Sequence, residues 1–320
     1  MGRPSDVNQM KALKTPLRYP GGKSRACTKM DDYFPADLDN LTEYREPFLG
    51  GGSVALHVTK KYPHLKITVN DFYEPLVNFW VTLQTFGGEL TEKLKQYKLT
   101  HPDPPKTDRK LEGTHFPAKE LFLNSKKVIN DSSVDSIERA AAFYIVNKCS
   151  FSGLTESSSF SKQASVSNFS MRGIEKLPDY SELISHWHIN GYSYEHLMTT
   201  DIHDGIFMYL DPPYDIKDNL YGKSGSMHKG FDHDKFAADC DKPDIPMLIS
   251  YNSDQLVKDR FKDWHGRWAV AEFELTYTMR SVGEYMSEQK GRKELLIFNY
   301  GFSERMKDGP AIVEGLAQLD

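Results

Sequence analysis

The chain has 320 residues, of which 39% are hydrophobic, 12% aromatic and 27% charged. This composition is apolar enough to build a core and excludes a wholly disordered chain. The length predicts either one catalytic core with a sizeable insertion or two domains. No run of 18 apolar residues occurs, so we expect no membrane span.

The formal net charge is −5, which gives no global argument for nucleic-acid binding. Residues 1–30 nevertheless contain seven Lys and Arg side chains against a single acid, Asp6. This basic segment is compatible with binding a polyanion at one edge of the protein, although a solvated tail explains it equally well.

Three cysteines, Cys27, Cys149 and Cys240, lie far apart in the chain. Their number is odd and no pair has metal-ligand spacing, which predicts reduced thiols and no metal site. The first residues lack the apolar core of a signal peptide. We therefore expect an intracellular protein.

Strand and helix signals alternate along the first part of the chain. A short strand is predicted over 42–48, and a helix with four-residue apolar spacing opens at Ser53. A second strand over 67–69 leads into another helical pattern over 76–83. This order predicts the opening of a parallel α/β sheet.

A helix is predicted over 137–148, followed by a serine-rich stretch over 149–173 that is either a flexible linker or a recognition loop. The α/β pattern resumes with a compact apolar strand over 206–210. Further elements are predicted in the carboxyl-terminal part: strands over 246–251, 268–275 and 294–299, and a helix over 253–264.

Residues 87–200 therefore look like an insertion between two parts of one sheet. The predicted division of the chain is a catalytic domain over 13–86 and 201–300, an insertion over 87–200, and tails over 1–12 and 301–320.

The first chemical motif is Gly50-x-Gly52-x-x-Ala55, at a strand-to-helix turn, with Asp71 about 20 residues further on. Glycines let a ligand approach the backbone closely, and a carboxylate after the second strand accepts hydrogen bonds from ribose hydroxyls. The pattern indicates an adenosine-containing ligand. The alternative is a tight turn followed by a surface acid.

The second motif, Gly21-Gly22-Lys23-Ser24, resembles part of a phosphate-binding loop. That loop requires a glycine where this chain has Leu17, and no strand precedes it. We therefore expect the glycines to bring the chain close to a ligand, with Lys23 and Arg18 beside it. An ordinary basic loop is the alternative.

The third motif is Asp211-Pro212-Pro213-Tyr214, directly after the strand over 206–210. Consecutive prolines stiffen the backbone and can hold the Pro212 carbonyl in one direction. Two acceptors beside a flat ring suit a planar aromatic ligand that bears an amino group. A rigid turn that ends a strand is the alternative.

Four segments in this order, TPLRYPGGKSR (15–25), EPFLGGGSVAL (46–56), NDFYEPLVNFW (70–80) and YLDPPY (209–214), resemble the Dam-type (class alpha) DNA adenine methyltransferases. The resemblance covers roughly residues 13–300. It implies a Rossmann-like methyltransferase sheet with helices on both faces and a mostly helical target-recognition insertion.

The resemblance also implies a reaction and its residues. S-adenosylmethionine would donate a methyl group to the exocyclic amine of adenine, with no metal. The matching catalytic positions are Asp211, Pro212 and Tyr214. The matching cofactor positions are Tyr19, Lys23, Phe48, Gly50, Gly52, Asp71 and Asp211.

Duplex DNA is the implied partner, and the target base must flip out to reach the cofactor. The matching DNA-binding positions are Arg18, Asn147, Lys148, Phe151 and Glu156. Family members that read GATC carry a basic residue where this chain has Glu156, so the predicted target need not be GATC. Whether a cognate restriction endonuclease is a partner is left open.

Three alternatives remain at this point. A methyltransferase acting on RNA or on another planar amine could share the Asp-Pro-Pro-Tyr motif. A nicotinamide-dependent oxidoreductase could share the glycine motif and Asp71, but it leaves Asp211 to Tyr214 unexplained. A non-catalytic DNA-binding protein would not need Asp211 and Tyr214.

Overall fold

The computed structural model describes residues 13–19, 22–24, 26–103, 116–151, 158–214, 230–262, 267–274 and 293–301. The strands are β1 (Glu43–Glu46), β2 (Lys66–Asn70), β3 (His188–Asn190), β4 (Ile206–Leu210), β5 (Met247–Asn252), β6 (Ala269–Glu274) and β7 (Lys293–Phe298). The predicted tail residues 1–12 and 302–320 lie outside the described residues.

Most helices of the described part fall before β4. They are α1 (Cys27–Met30), α2 (Ser53–Lys61), α3 (Glu74–Thr85), α4 (Gly87–Thr100), α5 (Pro117–Val128), α6 (Ser136–Cys149), α7 (Lys162–Ser167), α8 (Met171–Ile174), α9 (Leu177–Leu183), α10 (Glu195–Thr199), α11 (His233–Cys240) and α12 (Gln255–Lys262). Short 3₁₀ turns occupy Asp31–Tyr33 and Leu38–Asn40.

The described strands form one seven-stranded sheet in the order β3-β2-β1-β4-β5-β7-β6. Strands β1 to β5 pair in parallel, whereas β7 runs antiparallel between β5 and β6. The predicted α/β, Rossmann-like fold is confirmed.

Helices cover both faces of this sheet, as the burial of β4 demonstrates. Successive strand residues point to opposite faces. Ile206, Met208 and Leu210 pack in one core with residues of α11 and α12, and Phe207 and Tyr209 pack in a second core with residues of α2 and α3. All five residues of β4 are buried, so this strand lies at the centre of the molecule.

Strand β3 lies within the range predicted as the insertion, near its carboxyl end. Its residues pair with Thr68, Val69 and Asn70 of β2 and form the edge of the sheet. The strand is three residues long and only partly buried, so it shows no apolar run or clear alternation. For this reason the sequence pattern did not reveal it.

The insertion is built around α6, which is almost entirely buried from Ala140 to Asn147. Asp135 caps the amino terminus of this helix by accepting a hydrogen bond from the Glu138 backbone at 3.0 Å. Helix α6 packs against α3, α4 and α5, so it joins the insertion firmly to the helical layer beside the sheet.

The order of the strands reverses between β1 and β4. In open α/β sheets a ligand crevice forms outside the carboxyl ends of the strands at such a reversal. The glycine loop follows β1, Asp71 follows β2, and the Asp-Pro-Pro-Tyr turn follows β4. The fold therefore brings three motifs that are far apart in sequence to one edge of the sheet.

Cys27, Cys149 and Cys240 are all buried free thiols. Among the helices in the described part of the chain, none combines the length and hydropathy that a membrane span requires.

Candidate active site

The glycine loop after β1 adopts a backbone that requires glycine. Gly50 and Gly52 have φ of +49° and +66°, in the left-handed region that L side chains rarely adopt. A Cβ atom at Gly52 would lie 2.7 Å from the ring of Trp80, and one at Gly50 would lie 2.9 Å from the ring of Tyr19. Local geometry and close packing both exclude larger residues here.

Asp71 holds this loop in place. Its carboxylate accepts hydrogen bonds from the backbone N–H of Gly50 at 2.8 Å and of Tyr73 at 3.0 Å. Burial raises the pKa of Asp71 above its ordinary value, and the backbone donors oppose that shift. The carboxylate thus links the ends of β1 and β2 while it borders the adjacent cavity.

A cavity of about 520 Å³ opens above the carboxyl ends of these strands. All seven positions predicted to bind the cofactor line it, together with the other predicted catalytic positions: Tyr19, Lys23, Phe48, Gly50, Gly52, Asp71, Asp211, Pro212 and Tyr214. The fold therefore brings these two predicted sets of residues together around one space.

Lys23 and Asp211 form an ion pair at one wall of the cavity, in which the Lys23 side chain is 2% exposed and that of Asp211 is 25% exposed. Lys23 Nζ lies 3.0 Å from each carboxylate oxygen of Asp211, and it also donates to the Tyr214 hydroxyl at 2.7 Å. Burial raises the pKa of Asp211, and Lys23 opposes this. Burial alone would lower the pKa of Lys23, but the charges of Asp211 and Glu294 raise it well above its ordinary value.

Glu294 is a second carboxylate at this wall, and the sequence analysis missed it. Its Oε2 accepts a hydrogen bond from the Tyr214 hydroxyl at 2.7 Å and lies 3.7 Å from Lys23 Nζ. The residue is 1% exposed. The available signal was an acid directly before the apolar run Leu295 to Phe298 of β7, where a buried acid requires a partner.

Glu46, at the end of β1, is buried and, like Asp71, lines the cavity. The Tyr44 hydroxyl donates a hydrogen bond to Glu46 Oε2 at 2.6 Å. Burial raises the pKa of Glu46 well above its ordinary value. The sequence analysis quoted this residue only as part of a motif and assigned it no role.

Aromatic rings form the opposite wall. Phe48 stacks on Tyr194 with ring centroids 5.4 Å apart, and Phe231 meets Phe48 edge-on at 5.8 Å. The Tyr194 hydroxyl donates to Asp239 at 2.8 Å, which fixes the orientation of its ring. Of these residues only Phe48 was predicted, because Tyr194 and Phe231 come from regions without a recognisable motif.

Four of the five predicted DNA-contacting residues lie close together in the structure: Arg18, Asn147, Lys148 and Phe151. Asn147 is fully buried, and its amide accepts from the Arg18 N–H at 2.8 Å and donates to the Arg18 carbonyl at 2.6 Å. The Arg18 guanidinium donates to the Ser150 carbonyl at 2.7 Å and the Phe151 carbonyl at 3.2 Å. Glu156 lies outside the described residues, as does the rest of 152–157.

Lys148 and Phe151 differ in exposure within this group. Phe151 is 51% exposed, which is unusual for so large an apolar side chain. The Lys148 ammonium lies 5.2 Å from the centroid of the Tyr144 ring. Burial, with a smaller contribution from the charge of Arg18, lowers the pKa of Lys148 to about 8.

Among the described residues, no group of three or more His, Cys, Asp and Glu side chains is arranged to hold a metal ion. That the reaction needs no metal stays a prediction.

The chemistry of the cavity suits S-adenosylmethionine, which joins adenosine to a sulfonium cation and an amino-acid end. The glycine loop exposes backbone to the cavity, and Phe48 and Tyr194 offer aromatic surface. Asp71 and Asp211 contribute carboxyl groups, which favour a cationic ligand. Together with the strand order, this site is the one expected of a Rossmann-like methyltransferase.

The model of the D12 class N6 adenine-specific DNA methyltransferases matches residues 19–279 of the chain. The chain therefore belongs to this family. It is a site-specific DNA methyltransferase that acts on the exocyclic amine of adenine, with S-adenosylmethionine as the implied methyl donor. Family membership disfavours the oxidoreductase and non-catalytic alternatives.

Relatives of the chain include three type II methyltransferases. M.MjaIII of Methanocaldococcus jannaschii is 24% identical over 305 residues, which cover 90% of this chain and 99% of the relative. M1.LlaDCHI of Lactococcus lactis subsp. cremoris is 22% identical over 90% of this chain and 96% of its own length. M.CviBI of Paramecium bursaria Chlorella virus NC1A is 20% identical over 66% of this chain and 72% of its own length.

Proposed function

We propose that Asp211 and the Pro212 carbonyl accept hydrogen bonds from the two amine hydrogens of a target adenine, while the base stacks on Tyr214. The observation that carries this proposal is the position of Asp211, beside the cavity and held through both oxygens by Lys23. Pro212 is buried and conformationally restricted, so its carbonyl has little freedom to turn away.

The amine of adenine is a poor nucleophile, because its lone pair is delocalised into the ring. Acceptors on both hydrogens favour a pyramidal nitrogen and stabilise the positive charge that develops there during attack. The cofactor supplies the methyl group as a sulfonium substituent. The protein contributes mainly by positioning its acceptors for in-line transfer.

In the same proposal, Asp71 accepts hydrogen bonds from the ribose of the cofactor. Gly50 and Gly52 form the floor beneath it, and Tyr19, Lys23 and Phe48 border it. The support is that Asp71 keeps acceptor capacity beyond its backbone donors, Gly50, Phe72 and Tyr73, because a carboxylate has about four lone-pair sites.

We further propose that Arg18, Lys148 and Phe151 face duplex DNA. The Arg and Lys side chains would neutralise phosphates, and the exposed Phe151 ring would fill the space left by the flipped base. Because Asn147 is fully buried, we assign it the role of positioning Arg18 instead of touching DNA.

Within the proposed insertion over 87–200, β3 belongs to the sheet, which leaves residues 87–187 for target recognition.

The relatives are type II methyltransferases, which suggests a restriction–modification system as the biological setting. We propose that a cognate endonuclease cleaves the same short target when it is unmethylated, and that both enzymes act where the cellular DNA is located.

The central proposal is tested with Asp211→Asn, which keeps the shape of the side chain and removes its charge. Tritiated methyl transfer from S-adenosylmethionine to unmethylated genomic DNA should fall by about 10²–10³, the typical cost of losing one preorganised electrostatic contact. The variant should still melt cooperatively. Asp244→Asn, the same change on a fully exposed side chain, serves as the control and should keep wild-type turnover. A folded Asp211→Asn variant with near wild-type turnover would refute the assignment.

A further inference from the structure

The ammonium group of Lys23 is shared between two carboxylates. Lys23 Nζ lies 3.0 Å from Asp211 and 3.7 Å from Glu294, and the Lys23 side chain is 2% exposed. One carboxylate is enough to neutralise one ammonium. A second buried acid in contact with the same lysine costs desolvation free energy that the ion pair with Asp211 does not require.

Glu294 is tied into this wall by hydroxyl groups from two other elements. Its Oε2 accepts from the Tyr214 hydroxyl at 2.7 Å and from the Ser250 hydroxyl on β5 at 3.2 Å. The Tyr214 hydroxyl accepts in turn from Lys23. Glu294 therefore contacts both the turn that carries the proposed catalytic groups and the lysine that holds Asp211.

We propose that Glu294 is a positioning residue for methyl transfer, which keeps Lys23 from fully neutralising Asp211 and fixes the Tyr214 ring beside the base. The inference rests on the proposed role of Asp211 and extends it. With Glu294, the cluster of Lys23, Asp211 and Glu294 carries one net negative charge. Without Glu294 it would be neutral.

The charge of the cluster matters because the reaction creates positive charge next to it. The bond from the adenine nitrogen to the methyl carbon forms as the bond from that carbon to sulfur breaks, and the nitrogen then loses one proton to water. A net negative charge close by stabilises the developing cation more in the transition state than in the ground state.

Two further titratable groups interact with Asp211, and neither substitutes for Glu294. These groups are Tyr209 on β4 and Glu46 on β1. Burial raises the pKa of each well above its ordinary value. Tyr209 therefore stays neutral, and burial likewise favours the neutral form of Glu46. Burial also raises the pKa of Glu294, but there the charge of Lys23, 3.7 Å away, opposes the rise and favours the carboxylate. Neither supplies the negative charge that Glu294 brings to Lys23.

The test is Glu294→Gln, which keeps an acceptor oxygen for Tyr214 and Ser250 but removes the charge. At saturating S-adenosylmethionine and saturating unmethylated genomic DNA, we expect kcat to fall about tenfold. This is the rate change that corresponds to a charge interaction worth about one pKa unit. The affinity for S-adenosylmethionine, measured by calorimetry, should change less than about threefold, because Glu294 is not among the residues that line the cavity.

The pH profile of kcat gives a readout that a purely structural role would not move. The negative charge of Glu294 raises the pKa of Asp211, so its removal should lower that pKa. Activity requires ionised Asp211, and the acid limb of the profile should therefore shift to lower pH in Glu294→Gln. Ser250→Ala removes the hydroxyl that favours the ionised forms of both Glu294 and Asp211 without changing any formal charge, so its acid limb should shift to higher pH, in the opposite direction.

Unchanged kcat and an unmoved limb in folded Glu294→Gln would overturn the inference, and so would an equal shift to lower pH in Ser250→Ala. If Glu294→Gln melts below the assay temperature, Glu294→Asp decides the question. It keeps the charge, so its acid limb should match that of the wild type, and a limb at lower pH would overturn the proposal. Failure of the underlying Asp211 assignment is recognised separately, by full turnover in Asp211→Asn.

Discussion

The buried amide of Asn147 forms two hydrogen bonds with the backbone of Arg18, although the residues are 129 positions apart. Asn147 belongs to the central helix of the insertion, and Arg18 directly precedes Tyr19, whose ring packs against the glycine loop. Arg18, which is proposed to contact DNA, is thus the chain neighbour of Tyr19, which is proposed to border the cofactor.

We expect Asn147→Leu to destabilise the protein by roughly 1–3 kcal/mol, because it leaves the backbone groups of Arg18 without their buried partner. The free energy of unfolding, measured with urea, checks this. Asn124→Leu, on an exposed face of α5, is the matched control and should have little effect. Equal stability losses in the two variants would contradict the clamping role of Asn147.

Gly52→Ala should destabilise the fold by at least about 1–2 kcal/mol, the cost of a left-handed backbone for a residue with a Cβ atom. The contact with the Trp80 ring adds to this cost. Gly88→Ala is the control, since a Cβ there meets nothing within 4 Å, and alanine should be tolerated or stabilising in helix α4. Thermal melting of both variants distinguishes local strain from a general sensitivity to alanine.

Asp71→Asn should weaken binding of S-adenosylmethionine about tenfold to a hundredfold, the equivalent of one hydrogen bond to a charged acceptor. Asparagine has a single acceptor oxygen, so backbone donors that bind the second oxygen of Asp71 also lose their partner. Calorimetric titration measures the affinity. An unchanged dissociation constant would refute the ribose role.

The affinity for DNA should fall as the pH rises from 7 to 9, because Lys148 has a pKa of about 8 in the free protein. A nearby phosphate raises that pKa, so binding takes up a proton and is favoured at low pH. The loss should approach about tenfold at pH 9. Fluorescence anisotropy at constant ionic strength provides the measurement, and Lys148→Arg, which stays charged, should remove the dependence. A wild-type affinity that does not vary with pH would place Lys148 away from the phosphates.

Glu156→Arg should change the DNA sequence that is methylated, or the relative rates of methylation at DNA sites that differ from the target by one base pair. A carboxylate only accepts hydrogen bonds and suits the amine of cytosine, whereas arginine donates two to guanine, and such a contact discriminates by about 1–3 kcal/mol. Mapping of methylated adenines in DNA from cells expressing each protein tests this. Identical motifs and rates in both would show that Glu156 does not read a base.

The elements and motifs that depend on neighbouring residues could be predicted from the sequence. Strand β4 has the predicted bounds, Ile206 to Leu210, because a continuous apolar run between polar residues needs no tertiary information. The glycine loop and Asp71 were found for the same reason, since their spacing encodes a strand, a turn and a second strand.

Only the tertiary structure decided which side chains meet at the cavity wall. Lys23 and Asp211 lie 188 positions apart, and Lys23 and Glu294 are further apart still. Hydrophobic periodicity reports the burial of a local segment, whereas the partner of a buried charge depends on how the strands are ordered in the sheet. For the same reason the sequence marked Asn147 as a residue near DNA, and only the packing of α6 against the amino-terminal segment placed its amide inside the protein.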